Sequence, residues 1–113
     1  PVAAKEQWQK TVDAYIRTRG SLRGIILVMD IRHPLKELDL QLLEYCDRYN
    51  LPVHILLNKA DKLSKGAVAK TFQSVKAALT RYHNSVTLQS FSALKGKGID
   101  ELHSVLDAWY DYK

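Results

Sequence analysis

Apolar positions along the chain switch repeatedly between two periods. Ala4, Trp8, Val12, Tyr15 and Ile16 recur at helical spacing, and this helix is expected to end near Gly20. Gly24-Ile25-Ile26-Leu27-Val28-Met29-Asp30 then runs without a polar break until its last residue, the pattern of a strand covered on both faces. Leu35, Leu38, Leu42, Cys46 and Tyr49 mark one face of a second helix, closed by Asn50-Leu51-Pro52. Val53-His54-Ile55-Leu56-Leu57 is the second buried strand. Val68, Phe72, Val75, Leu79 and Tyr82 advance by fours and threes along a third helix. Val86-Thr87-Leu88-Gln89-Ser90-Phe91 alternates apolar with polar, so this third strand is half-buried and belongs at a sheet edge. Ile99, Leu102, Val105, Leu106 and Trp109 form a last amphipathic helix.

Strands alternating with helices specify parallel βαβ units, hence an α/β fold in which helices cover both faces of a parallel sheet. The count is three strands and about four helices. Nothing reads as a linker, a repeat or low complexity. One strand sits awkwardly in this scheme: the most apolar one has no partner before it and would lie at the margin, where proteins usually protect an edge. The expectation is that strands are missing on the N-terminal side. Unpaired edges of that kind would favour self-association of the fragment by dimerisation or domain swapping.

At 113 residues the chain is one domain at most, large enough to bury roughly two-thirds of its unfolded surface. The single cysteine, Cys46, cannot form an internal disulfide; it is read as a packed thiol in a reducing cytosol, so a cytoplasmic location is expected. No apolar stretch approaches the ~20 residues of a membrane helix, and no signal-peptide core is seen, so no membrane partner is expected. The net charge of +5 leans towards an anionic partner. Lys62, Lys65, Lys70, Lys76, Arg81, Lys95 and Lys97 contribute to it, either as a solvated helix face or as contacts with RNA phosphates.

The candidate chemistry lies where the second strand stops, at Asn58-Lys59-Ala60-Asp61. In open α/β sheets ligands bind at the carboxyl ends of the strands. A carboxylate at Asp61 can accept from both the ring N–H and the exocyclic amine of guanine, donors that adenine does not offer in that arrangement. The Asn58 amide can donate and accept, and the Lys59 stem can lie along the base. A second loop, Phe91-Ser92-Ala93-Leu94, follows the third strand. By itself Ser92-Ala93 is an ordinary strand-to-helix turn; beside Asn58 to Asp61 it fits a base-reading loop.

Elsewhere the chemistry is plainer. Asp30 is read as a turn former ahead of a ligand-facing carboxylate, with Arg32 and His33 as candidate outward contacts and Pro34 fixing entry to the next helix. His33, His54, His83 and His103 show no metal spacing with Cys46 or each other. Trp8 and Trp109 lie on apolar stripes and read as core, while Tyr110, Tyr112 and Lys113 form a polar-aromatic end. A receiver-like phosphoacceptor reading would need an acidic pair near the first strand, which is missing.

Three stretches together resemble a family: Leu27-Val28-Met29-Asp30-Ile31-Arg32-His33-Pro34-Leu35-Lys36, Leu56-Leu57-Asn58-Lys59-Ala60-Asp61-Lys62-Leu63 and Phe91-Ser92-Ala93-Leu94-Lys95-Gly96-Lys97-Gly98. They are similar to the C-terminal half of the EngB family of bacterial ribosome-assembly GTPases, over essentially all 113 residues. The resemblance implies a three-layer α/β/α P-loop NTPase-type fold, residues 1–113 being the C-terminal part of a single G domain. It implies guanine binding by Asn58, Lys59, Ala60, Asp61, Phe91, Ser92, Ala93 and Leu94, with the Ala93 N–H towards the guanine carbonyl oxygen and Ser92 steadying Asp61. For the intact protein it implies GTP and GDP with Mg²⁺, large ribosomal subunit and rRNA as partners, and a role in cell division and septation. A Gly-rich loop ending Gly-Lys-Ser/Thr and the switch segments are absent from the sequence, and Gly96-Lys97-Gly98 does not substitute. No catalytic or metal-ligating residue is therefore expected here, nor GTP hydrolysis by the chain as it stands. The competing expectation is a non-enzymatic RNA- or protein-binding α/β module without nucleotide.

Overall fold

The computed structural model describes residues 23–110. Within them strands and helices alternate: β1 (Ile25–Asp30), α1 (Glu37–Arg48), β2 (Val53–Asn58), α2 (Lys65–Ala78), β3 (Val86–Ser90) and α3 (Ile99–Tyr110). Short 3-10 turns at Ala60–Lys62 and Leu79–Arg81 flank α2. The strands form one parallel sheet in the order β1-β2-β3, with Ile25 opposite Val53 and Val53 opposite Val86. The expected helix over Ala4–Ile16, and Trp8 with it, lies outside the described residues.

Each element starts and stops for a local reason. Helix α2 begins where the Ser64 side chain accepts the Ala67 N–H at 3.1 Å, satisfying one of the unpaired donors of the first turn. At the start of α1, the Asp39 carboxylate accepts the Lys36 N–H at 3.0 Å. Helix α1 ends in a Schellman turn. Asn50 adopts φ 52°, and the N–H groups of Asn50 and Leu51 return to the carbonyls of Asp47 and Cys46. Pro52 then prevents continuation and leads into β2.

Central strand β2 alternates its side chains between two unlike layers. Val53, Ile55 and Leu57 join Met29, Leu43, Cys46, Val75 and Leu79 in an apolar core beneath α1 and α2. His54, Leu56 and Asn58 face the other way. Two expectations need adjusting. Strand β1 is not covered on both faces among the described residues: Met29 is its one buried residue, and Val28 is 54% exposed. Trp109 is half-buried rather than central, its ring lying where a Cβ on Gly24 would meet it at 2.7 Å. Strand β3 is an edge among the described strands, in line with its alternating pattern.

Candidate functional site

The site is built where β2 and β3 end together. Asn58 is the last residue of β2, and the chain turns immediately at Lys59, whose φ is 65° and ψ 31°. A left-handed conformation costs a non-glycine residue roughly 1–2 kcal/mol. Hydrogen bonds on either side offset it: the Ala60 N–H donates to the Phe91 carbonyl at 3.0 Å, and the Lys62 N–H to the Lys59 carbonyl at 2.9 Å. The Phe91 N–H donates in turn to the Leu57 carbonyl at 2.9 Å. The two chain segments thus stay zipped beyond their strands.

That zipper brings Asn58, Asp61 and the Ser92–Leu94 loop together. The Ser92 hydroxyl, fully buried, donates to Asp61 Oδ1 at 2.7 Å and accepts the Lys95 N–H at 3.1 Å. Asn58 Oδ1 accepts the Ala93 N–H at 3.1 Å. Reciprocal 3.0 Å backbone bonds between Ser92 and Lys97 close the loop. Gly98 completes it at φ 92°, where a Cβ would lie 2.6 Å from the Gln89 amide nitrogen, so a larger residue would be strained and would displace the Gln89 side chain.

Asn58, Lys59, Asp61, Ala93 and Leu94 line one open cleft of about 470 Å³, and Arg32 stands at its wall. Ala60 and Phe91 contribute through their backbone instead of lining it. The Ser92 hydroxyl, with help from the charges of Lys62 and Lys95, holds the Asp61 carboxyl below its ordinary value against the opposing effect of burial. Asp61 makes no ion pair among the described residues. It presents an ionised carboxylate, an acceptor for a ligand with two adjacent N–H donors.

Sequence reasoning missed two contacts. Ala93 already has an acceptor in Asn58, a link invisible from two positions 35 residues apart. Asp30 forms the turn anticipated for it, accepting the Arg32 N–H at 2.9 Å, but it also grips the Arg32 guanidinium at 3.0 and 2.8 Å. Lys59 Nζ approaches the same carboxylate at 3.6 Å. Asp30 is held far below the usual carboxylate range by the Arg32 hydrogen bonds, and it orients two cations beside the cleft. The order Asp-X-Arg directly after a strand was the available signal. Of the four histidines, His54 is buried while His33, His83 and His103 are exposed. Among the described residues no three His, Cys, Asp or Glu side chains converge on a metal site, and no helix is long and apolar enough to cross a membrane. On the far side of Asp61, a groove of about 650 Å³ carries Lys65, Lys95 and Lys97 over Val68 and Phe72.

Comparison with known proteins places these features. The family model of the elongation factor Tu GTP binding domain matches residues 8–111. A probable GTP-binding protein EngB of Coxiella burnetii (strain RSA 331 / Henzerling II) is 44% identical over 110 residues, covering 97% of this chain and 54% of the relative. Its counterpart in Xanthomonas euvesicatoria pv. vesicatoria is 48% identical over 110 residues, covering 96% and 53%. The chain thus spans about half the length of the curated relatives it matches. Translation elongation factor SelB from Methanococcus maripaludis, in its apo form, superposes with a TM-score of 0.73 at 20% identity, over 90% of this chain and 24% of that one. A bacterial selenocysteine-specific elongation factor gives 0.70 at 20% identity, over 80% and 16%. These structures share the fold.

Proposed function

The chain belongs to the elongation factor Tu GTP binding domain family and matches GTP-binding proteins of the EngB type over nearly its whole length, and on that premise we propose that the cleft at the end of β2 holds the guanine base of GTP or GDP. One observation carries the reading. Asp61 lines the cleft, is ionised, and is steadied at one oxygen by the Ser92 hydroxyl at 2.7 Å without being neutralised by a cation. Such a carboxylate takes the ring N–H and exocyclic amine of guanine together. Adenine leaves it facing unmatched groups, and a site built around polar pairing rejects such a mismatch strongly. Lys59, tethered towards Asp30, supplies an aliphatic stem beside the base. The Ala93 N–H, which already donates to Asn58 Oδ1, takes the base carbonyl oxygen as its second acceptor.

For the whole protein the same reading extends to a GTP-hydrolysing switch in large ribosomal subunit assembly and cell division, in the cytosol. Residues 1–113 supply its base-reading part, and the phosphate-binding loop and switch segments belong to the remainder. Support comes from the EngB resemblance and from the basic groove of Lys65, Lys95 and Lys97, which suits rRNA phosphates. Mg²⁺ belongs with the phosphates, and among the described residues no three His, Cys, Asp or Glu side chains gather to hold it.

Thermal unfolding with millimolar GDP or ADP tests the base site. Saturation at 100 times the dissociation constant adds roughly 2.7 kcal/mol; less is expected here, because no Gly-rich phosphate loop occurs in the 113 residues. A small stabilisation by GDP alone, lost in Asp61→Asn, is the expected result. Equal shifts with both nucleotides, or none with either, would overturn the reading.

A further inference from the structure

A run of polar side chains on the face of the sheet opposite the apolar core, buried at His54 and Gln89 and open to solvent at Thr87, has no part in the site so far. His54 is 1% exposed and Gln89 2%. His54 Nδ1 lies 2.6 Å from the Thr87 hydroxyl, and His54 Nε2 lies 2.7 Å from Gln89 Oε1. The Gln89 amide nitrogen donates to the Gly98 carbonyl at 2.9 Å and to the Ser90 carbonyl at 3.2 Å.

Donor and acceptor chemistry gives this run one direction when the His54 imidazole is neutral. Two carbonyls beside one end of the Gln89 amide require that end to be the NH₂. Oε1 therefore faces His54, and His54 Nε2 must carry the hydrogen. His54 Nδ1 is then the acceptor of the Thr87 hydroxyl. The result is a one-directional chain, Thr87 to His54 to Gln89, that ends on backbone carbonyls at both ends of the 91–97 loop. Gly98 is shaped to admit it, since any Cβ there would strike the Gln89 nitrogen.

We infer that Gln89, oriented by His54, is a positioning residue of the guanine site: it sets the 91–97 loop where the Ala93 N–H meets the base carbonyl oxygen. This rests on the guanine reading above. Replacing both partners of a buried hydrogen bond by apolar groups of similar shape is nearly neutral for stability. What an apolar pair would not supply here is a fixed direction at Ser90 and Gly98, between which Ser92 and Ala93 are carried. Asp61, by contrast, lies on the β2 side and receives only the Ser92 hydroxyl from this loop. The relay should thus govern contact with the carbonyl oxygen more than contact with the ring N–H and amine.

Base analogues separate those two contacts. 6-Thioguanosine diphosphate keeps both donors to Asp61 and replaces the carbonyl oxygen by a weakly accepting sulfur. Inosine diphosphate keeps the oxygen and loses the amine. In NMR titrations of the full chain, GDP should bind about three- to tenfold more tightly than the thio analogue, the worth of one net hydrogen bond. Gln89→Met and His54→Leu should bring that ratio to about one and leave the GDP to inosine diphosphate ratio unchanged. His54→Gln, which can still donate to Gln89, should restore it. General damage would lower both ratios together, and that outcome, or no change in either, overturns the proposal. Where Gln89→Met does not fold, Thr87→Val removes only the outermost donor and should move the first ratio alone, in the same direction.

Amide exchange decides the structural half without nucleotide. The Ser92 and Lys97 amides should exchange faster in Gln89→Met, with β2 protection retained. Unchanged loop exchange would overturn the relay even if nucleotides bind. Failure of the parent chain to prefer GDP over ADP, with a loosened loop in the variant, would instead overturn the guanine reading while leaving the relay as a structural device.

Discussion

The two faces of this sheet are buried for different purposes. On one, Val53, Ile55 and Leu57 meet Leu43, Cys46, Val75 and Leu79 of α1 and the α2 region in a continuous apolar core. On the other, His54 and Gln89 are as deeply buried, yet they are polar, and α3 has no fully buried residue. Apolar burial returns roughly 25 cal/mol per Å² removed from water. A satisfied hydrogen bond returns only ~1 kcal/mol net, because it replaces a bond to water. The apolar face therefore supplies stability and the polar face supplies direction at the loop it ends on.

The largest expected effect breaks that contrast at its apolar end. Ile55→Ala removes methylenes from the centre of the core and should cost about 2–5 kcal/mol in urea unfolding. Thr87→Val, on the adjacent strand but the other face, should cost about 1 kcal/mol. Cys46 offers an independent readout: it is buried in the core, and burial pushes its thiol up to about 11, so it is protonated and unreactive in the native state. Labelling of Cys46 should accelerate in Ile55→Ala and remain near the parent rate in Thr87→Val. Equal costs for the two substitutions would remove the distinction between the faces.

The apolar face was legible in outline: the stripe expected on α1 shares Cys46 with the observed core, but Leu43, which is fully buried, was not in it, and Leu38 and Tyr49 are exposed. Continuous apolar runs mark β1 and β2, and steps of three and four mark α1 and α2, because one buried face leaves a periodic trace. The candidate site was legible for a related reason: Asn58 to Asp61 and Ser92-Ala93 follow strand ends, where the topology gathers side chains. The polar relay left a fainter trace. His54 is the one polar residue inside an apolar run, and Thr87 and Gln89 alternate along β3, but their pairing depends on strand register over 33 to 35 residues. The left-handed turn at Lys59 was not readable, since no glycine or asparagine stands there; tertiary hydrogen bonds impose it. The run of β1 suggested coverage on both faces, whereas Val28 is exposed at a margin that no described strand pairs.

A mid-sized effect sharpens the comparison by changing chemistry without touching the core. In Asp61→Asn, the side chain offers an acceptor and a donor in place of two acceptors. The Ser92 hydroxyl can still donate to the amide oxygen, so the fold should hold. The remaining NH₂ now opposes the guanine amine but suits the carbonyl that xanthine carries at the same position. Affinity for GDP should fall by about tenfold or more, ~1.4 kcal/mol, while xanthosine diphosphate should gain over GDP. Calorimetry or NMR titration would measure both. Loss of both nucleotides together with a lowered unfolding midpoint would instead make Asp61 a structural residue of the loop.

The smallest expected effect lies in acid and distinguishes the two ends of the sheet. At the carboxyl end, Asp61 is held low first by the Ser92 hydroxyl. At the amino end, Asp47 is held low first by the His83 N–H, at 2.8 Å, with the Asn84 N–H also donating at 3.1 Å. Both carboxyls titrate lower in the folded chain than in the unfolded one, so the unfolded state takes up protons first as pH falls. Their contribution is complete above the unfolded value of about 3.9 and is lost as pH drops towards the folded values. Urea midpoints should therefore be flat with respect to these groups from pH 6 to 5 and decline below about pH 4. Ser92→Ala removes the largest cause of the Asp61 shift and should make that decline shallower. Asp47→Asn should do the same from the other end, and the two should add, because the sites share no partner. A midpoint that rises between pH 5 and 3 would mean that neither carboxylate stabilises the fold in its charged form, and the ionised Asp61 on which base recognition depends would lose its support.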